Sequence, residues 1–147
     1  MSDHLGIVEL GAVCAAMRVR SLDLFAQLGA WVLTTSPGEQ QRLFAEACHR
    51  HAWHADLWEA RAPMIPTTRA TSLPSAAPTG GDGEDGDDGN DMRRDRYRAE
   101  LSSLEDDLRS LHARIDPALD PGTARTIDLV GRDVVEIAER LDALRTR

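Results

Sequence analysis

The chain has 147 residues, the length of one ordinary domain, and 41% of them are hydrophobic but only six are aromatic. A formal net charge of −8 excludes a general nucleic-acid binder, which needs a basic surface. The two cysteines, Cys14 and Cys48, are too few for a disulfide scaffold and fit a reducing, cytoplasmic setting. Membrane insertion is not expected either, because Glu9, Arg18, Arg20 and Asp23 interrupt the one candidate for an apolar span of ~18 residues, and no basic stretch opens a signal peptide.

Residues 4–35 contain glycines but no proline. Glu9, Arg20, Asp23 and Gln27, with small Ala12, Ala16 and Ala30 between them, recur at three- and four-residue steps. One narrow polar stripe on an otherwise apolar helix predicts an element buried on most of its circumference. Ser36-Pro37-Gly38-Glu39 then supplies a Ser cap, a proline at the first helical position and a Glu three residues after the cap. A second helix is expected to follow as far as Arg61, before Pro63. From Pro66 through the acidic run to Asp91 the chain is rich in Thr, Ser, Pro, Gly and Asp, and Leu73 is its one large apolar residue. Such a segment buries too little apolar surface to offset its ordering entropy, which predicts a disordered linker. The acidic run is no EF-hand loop: counted from Asp85, its fifth position is Gly89 and no Glu follows at the twelfth.

Between Asp91 and Ile115 the apolar stripe Tyr97, Leu101, Leu104, Leu108, Leu111 and Ile115 predicts a third helix, ended by Pro117. Asp120-Pro121 caps a fourth, to about residue 145, with the stripe Ile127, Val130, Val134, Ile137, Leu141 and Leu144. No segment alternates with period two. The fold expected is all-α: two antiparallel hairpins, residues 1–65 and 92–147, forming a four-helix bundle with a disordered connection over 66–91. About 30 linker residues could stretch roughly 100 Å, whereas a 24-residue helix is only ~36 Å long, so the connection can cross the bundle from end to end. An alternative leaves the hairpins independent, the second as an arm on a tether.

Chemistry-bearing residues concentrate in helix 2, in the run Glu46 to Trp58. At about 100° per residue, Phe44, Ala47, Cys48, His51, Ala55 and Trp58 share one face with His54 at its edge, while Glu46, His49, Trp53 and Leu57 form a second stripe. Cys48, His51 and His54, spaced i, i+3, i+6, are a ligand set that zinc accepts, although one ion comfortably takes only two of them. The plainer reading makes the histidines packing residues, with Trp31, Trp53 and Trp58 locking the first hairpin. The run Arg93-Arg94-Asp95-Arg96-Tyr97-Arg98 opposes the helix dipole, so neighbouring acids or a partner's anionic surface should compensate it.

Glu46-x-x-His49, four helices and a long connection between the second and third resemble the ferritin-like superfamily. The resemblance implies an iron or manganese oxidoreductase. Glu46 and His49 would be ligands, joined by a carboxylate from helix 1 (Glu9 or Asp23) and one from helix 3 (Glu100, Glu105 or Asp107). It also implies a second E-x-x-H in helix 4, where this chain has Glu136-Ile137-Ala138-Glu139. The function expected is therefore a non-enzymatic helical bundle acting on a protein partner or as a homodimer, with the iron or manganese enzyme and a zinc-binding module using His51 and His54 as alternatives.

Overall fold

The computed structural model describes residues 4–64 and 87–145. They form four helices, α1 (Ile7–Thr34), α2 (Glu39–Arg61), α3 (Asp87–His112) and α4 (Pro121–Arg145), with no strand among the described residues. Residues 66–86 of the expected linker lie outside the described residues. Its remainder, Asp87 to Asp91, belongs to α3, which starts earlier than the sequence predicts and runs through Gly89. Contacts offset the low helix propensity of glycine: the Gln40 side chain of α2 donates to the Asn90 carbonyl at 2.7 Å, and Asp91 pairs with Arg94 one turn on at 2.8 Å.

The two expected caps fare differently. Asp120 accepts a hydrogen bond from the Thr123 backbone N–H at 3.0 Å and caps α4. Ser36 does not cap α2, which begins at Glu39 with Gly38 as its cap residue and no side-chain cap bond. The α1–α2 corner is tied instead by the Gln41 side chain, which donates to the Val32 carbonyl at 2.9 Å.

Each helix contributes one stripe to the core. The expected stripes of α3 and α4 are buried from Tyr97 to Leu111 and from Ile127 to Leu141. Phe44, Ala47, Ala55 and Trp58 come from α2, and Leu10, Cys14, Met17, Leu24 and Leu28 from α1. Helix α1 departs from the sequence expectation. It buries a single face rather than most of its circumference, and its far side leaves Val8 71% and Leu33 86% exposed.

Cross-helix pairs fix the arrangement. Arg61 at the end of α2 meets Asp120 at the start of α4 at 2.9 Å, and Glu46 near the start of α2 meets Arg140 near the end of α4 at 2.8 Å. Arg114, just past α3, pairs with Glu9 at the start of α1, and Arg20 pairs with Asp107. Neighbouring helices are therefore antiparallel in the ring α1–α2–α4–α3, and α2 and α3 run the same way across the diagonal. The end of α2 and the start of α3 sit at opposite ends of a bundle about 34 Å long (23 residues of α2 at ~1.5 Å each). The two hairpins pack on each other, which replaces the alternative of independent hairpins.

Candidate functional site

The helix 2 run sorts cleanly in three dimensions. Its apolar face turns inward and carries His51 and His54, both 0% exposed. Its opposite stripe turns outward: Glu46 and His49 are exposed to solvent in part, and Trp53 is 44% exposed. Inside the bundle, His51 Nε2 and the Tyr97 hydroxyl of α3 share a hydrogen bond at 2.7 Å. His54 Nε2 lies 2.9 Å from Asp133 Oδ2 of α4. The two imidazoles meet edge to face with ring centroids 5.3 Å apart.

Burial governs the electrostatics here. Desolvation, with the neighbouring His54 and Arg20 adding to it, pushes the His51 pKa down to about 3, so this ring is neutral. Desolvation also lowers His54, against the opposing pull of Asp133. A neutral His54 donates its Nε2 proton to the Asp133 carboxylate, which fixes the tautomer and leaves Nδ1 as a bare lone pair. Burial raises the Tyr97 phenol far above its ordinary range. Among the described residues, His51 Nδ1, His54 Nδ1 and Trp58 Nε1 are buried with no hydrogen-bond partner.

Arg50 closes the site on its outer side. Its guanidinium reaches Asp133 at 3.2 Å, Glu136 at 2.9 Å and Glu46 at 3.1 Å. Arg140 then binds the other Glu46 oxygen at 2.8 Å. These hydrogen bonds hold the Glu136 carboxyl (through Arg50) and the Glu46 carboxyl (through Arg140) below the ordinary carboxylate range. The line Tyr97–His51–His54–Asp133–Arg50–Glu46 thus passes from neutral interior to charged rim, and it pins α2, α3 and α4 together.

The structure brings His51 and His54 together inside the bundle, but not the other expected ligands. Glu46 and His49 face outward, and Glu46 is engaged by two arginines. Glu9 lies at the other end of the bundle, paired with Arg114. Cys48 turns toward α1, where its thiol donates to the Phe25 carbonyl at 3.3 Å, away from His51 and His54. Among the described residues, no three His, Cys, Asp or Glu side chains gather where they could hold a metal ion. Trp31 meets Phe44 across the first hairpin with tilted rings 5.7 Å apart and Trp58 is buried in the core, whereas Trp53 is 44% exposed. The arginine run is compensated within the chain. Arg93 donates to the Thr34 carbonyl, Arg94 pairs with Asp91, Arg96 lies over the Trp31 ring and Arg98 pairs with Asp142.

Sequence reasoning missed Tyr97, Asp133 and Arg50 as partners of the histidines. Tyr97 carried one signal, being the one residue with a polar tip in the α3 stripe. Asp133 carried none, since an acid one position from Val134 reads as ordinary surface. A second feature lies between α3 and α4, a surface groove of about 610 Å³ floored by Leu108, Ile127, Gly131 and Val135 and edged by Arg109, His112, Asp128 and Arg132. Compared with protein-family models, curated proteins and solved structures, the chain matches none.

Proposed function

We propose that this chain is a non-enzymatic helical bundle that works through protein–protein contacts and is ferritin-like in architecture. The observation that carries this reading is the division between interior and surface. The groups suited to acid–base work, His51, His54 and Tyr97, are each 0% exposed and bonded to a partner inside the bundle, where no substrate reaches them. The surface meanwhile carries uncovered apolar side chains, with Val8 71%, Leu33 86%, Phe25 42% and Val135 44% exposed. On α1, exposed Ala12, Ala15 and Ala26 lie between Val8 and Leu33, and a contiguous apolar surface of that kind marks a contact site. One long connection between two helices that run the same way supports the ferritin-like architecture. The free thiols Cys14 and Cys48 fit a reducing compartment.

The test is site-specific photo-crosslinking in cells, with the reactive group placed at Val8, Leu33 or Val135 and, as a control, at exposed Glu139. Discrete protein adducts at the apolar positions and none at Glu139 are expected. The reading falls if no position gives an adduct. It also falls if the purified protein carries near-stoichiometric iron or manganese that His49→Ala abolishes, or zinc that His51→Ala abolishes.

A further inference from the structure

Helix α1 is apolar outside a narrow polar stripe yet buries one face within its own chain. The solvent-facing side has an ordered register. Ala12, Val19, Ala26 and Leu33 recur every seven residues, and Val8, Ala15 and Leu22 repeat the same spacing between them as far as Gly29, which already turns toward Cys48 of α2. All eight positions alternate at steps of four and three, the seam of a two-stranded coiled coil, and none is charged. Val8 and Leu33 at its ends are 71% and 86% exposed, and Ala12, Ala15 and Ala26 are exposed as well. We propose that this face of α1 is a homodimer interface, on which α1 of a second copy packs in parallel about a two-fold axis along the helix. The proposal rests on the protein-contact reading and narrows it to one partner.

Three observations select that partner. The first is shape: alanine and glycine at half of the seam positions let two helices approach at the short end of the 8–10 Å interaxial range, and a 28-residue helix finds a match of equal length in itself. The second is charge. The flanking positions on the α2 side include Arg18 and Phe25, and those on the α3 side include Asp23 and Ala30. In a parallel pair, a flanking residue faces the one five places later on the partner helix. Arg18 then meets Asp23 of the second copy, twice by symmetry, and Phe25 meets Ala30. Antiparallel packing with Val8 opposite Leu33 sets Asp23 against Ala16 and Arg18 against Phe25 instead, so neither ion pair forms. Arg18, with 27% of its side chain exposed, pairs with Glu59 through Nε at 3.5 Å, and the bridge to Asp23 of the second copy would use its Nη groups.

The third is area. From Val8 to Leu33 the seam runs about 38 Å, so even a flat strip about 10 Å wide contributes roughly 400 Å² from each copy. Interdigitation and the flanking residues bring the total near the ~1,000 Å² that a specific interface requires. Such an interface is isologous, the same patch on both copies.

Sedimentation equilibrium of the full chain tests this from about 1 to 300 µM. A concentration-dependent dimer is expected. Ala26→Glu, which adds a charge at an exposed position, should give a monomer with unchanged helical circular dichroism. Asp23→Arg should weaken the dimer at least tenfold, and Arg18→Glu with Asp23→Arg should restore it. In a Cys48→Ala background, Ala26→Cys should form a disulfide-linked dimer on mild oxidation, because parallel packing places position 26 against itself. A monomer throughout the range overturns the homodimer. A dimer that ignores Ala26→Glu puts the interface elsewhere, and a dimer in which Ala26→Cys forms no disulfide overturns the parallel register. If the chain is monomeric yet the Val8 and Leu33 photo-crosslinks capture a different protein, the contact reading stands and the homodimer does not.

Discussion

His51 and Tyr97 form a pair in which each member is costly without the other. Tyr97→Phe removes the hydroxyl and leaves His51 Nε2 buried without its 2.7 Å partner. An orphaned buried polar atom costs about 1–3 kcal/mol, so a loss near 2 kcal/mol is expected in urea denaturation. Replacing both groups, His51→Leu with Tyr97→Phe, removes the donor and the acceptor together and should recover at least half of that loss. A double mutant no more stable than Tyr97→Phe would show that the bond is worth little. The same burial sets a pH dependence. The unfolded chain takes up a proton at His51 near pH 6.5, whereas the folded chain does so only near 3. Below pH 6.5 the unfolded state therefore binds more protons, and stability falls as the pH drops through that window. The slope approaches about 1.4 kcal/mol per pH unit for a single histidine, and His54 adds to it in the same direction, since its pKa is also lowered. Denaturation midpoints between pH 7 and 4 should fall steeply in the parent chain and less steeply with His51→Leu and Tyr97→Phe together. Equal slopes would remove His51 as the cause.

At the scale of elements, the two helix starts that look alike in sequence should respond differently to mutation. Asp120 caps α4 and also binds Arg61 at 2.9 Å. Desolvation would raise its carboxyl, but the bonds from Thr123 and Arg61 win and hold it below the usual range. Asp120→Ala should cost about 1–2 kcal/mol in thermal or urea unfolding. Ser36→Ala should cost less than ~0.5 kcal/mol, because α2 starts at Glu39 without a side-chain cap. Similar losses at both sites would mean that Ser36 caps in solution. Gly131 offers a gain. It lies within α4, and a Cβ there meets nothing within 4 Å, so Gly131→Ala should stabilise the helix by up to about 1 kcal/mol. Periodicity made the helices legible, since leucine and valine spacing in α3 and α4 records a core that each helix faces on its own. The start of α2 was hidden because Gln41 and Val32 set it through a corner contact. The start of α3 was hidden because Gln40, fifty positions upstream of Asn90, holds a turn that contains Gly89.

For the molecule as a whole, the question is whether the two hairpins need each other. Helix α2 presents Phe44, His51, His54 and Trp58 inward, and their neighbours include Tyr97 and Asp133 of the second hairpin. Those partners lie 46 and 79 positions away along the chain, so one-dimensional spacing narrowed the candidate site to two faces of α2 but could not choose between them or name what the histidines bind. A fragment of residues 1–64 would expose a mixed apolar and imidazole face that water solvates poorly on one part and competes for on the other. A fragment of residues 87–147 would expose a leucine and valine face. Each fragment alone should be poorly helical, and mixing them in equal amounts should restore circular dichroism at 222 nm and a cooperative melt. Tyr97→Phe and Asp120→Ala in the second fragment should both weaken the association, since each removes a bond that crosses between hairpins. Full helicity of the separate fragments, unchanged on mixing, would mean that the hairpins stand alone and that the buried histidine pair adds nothing to their union.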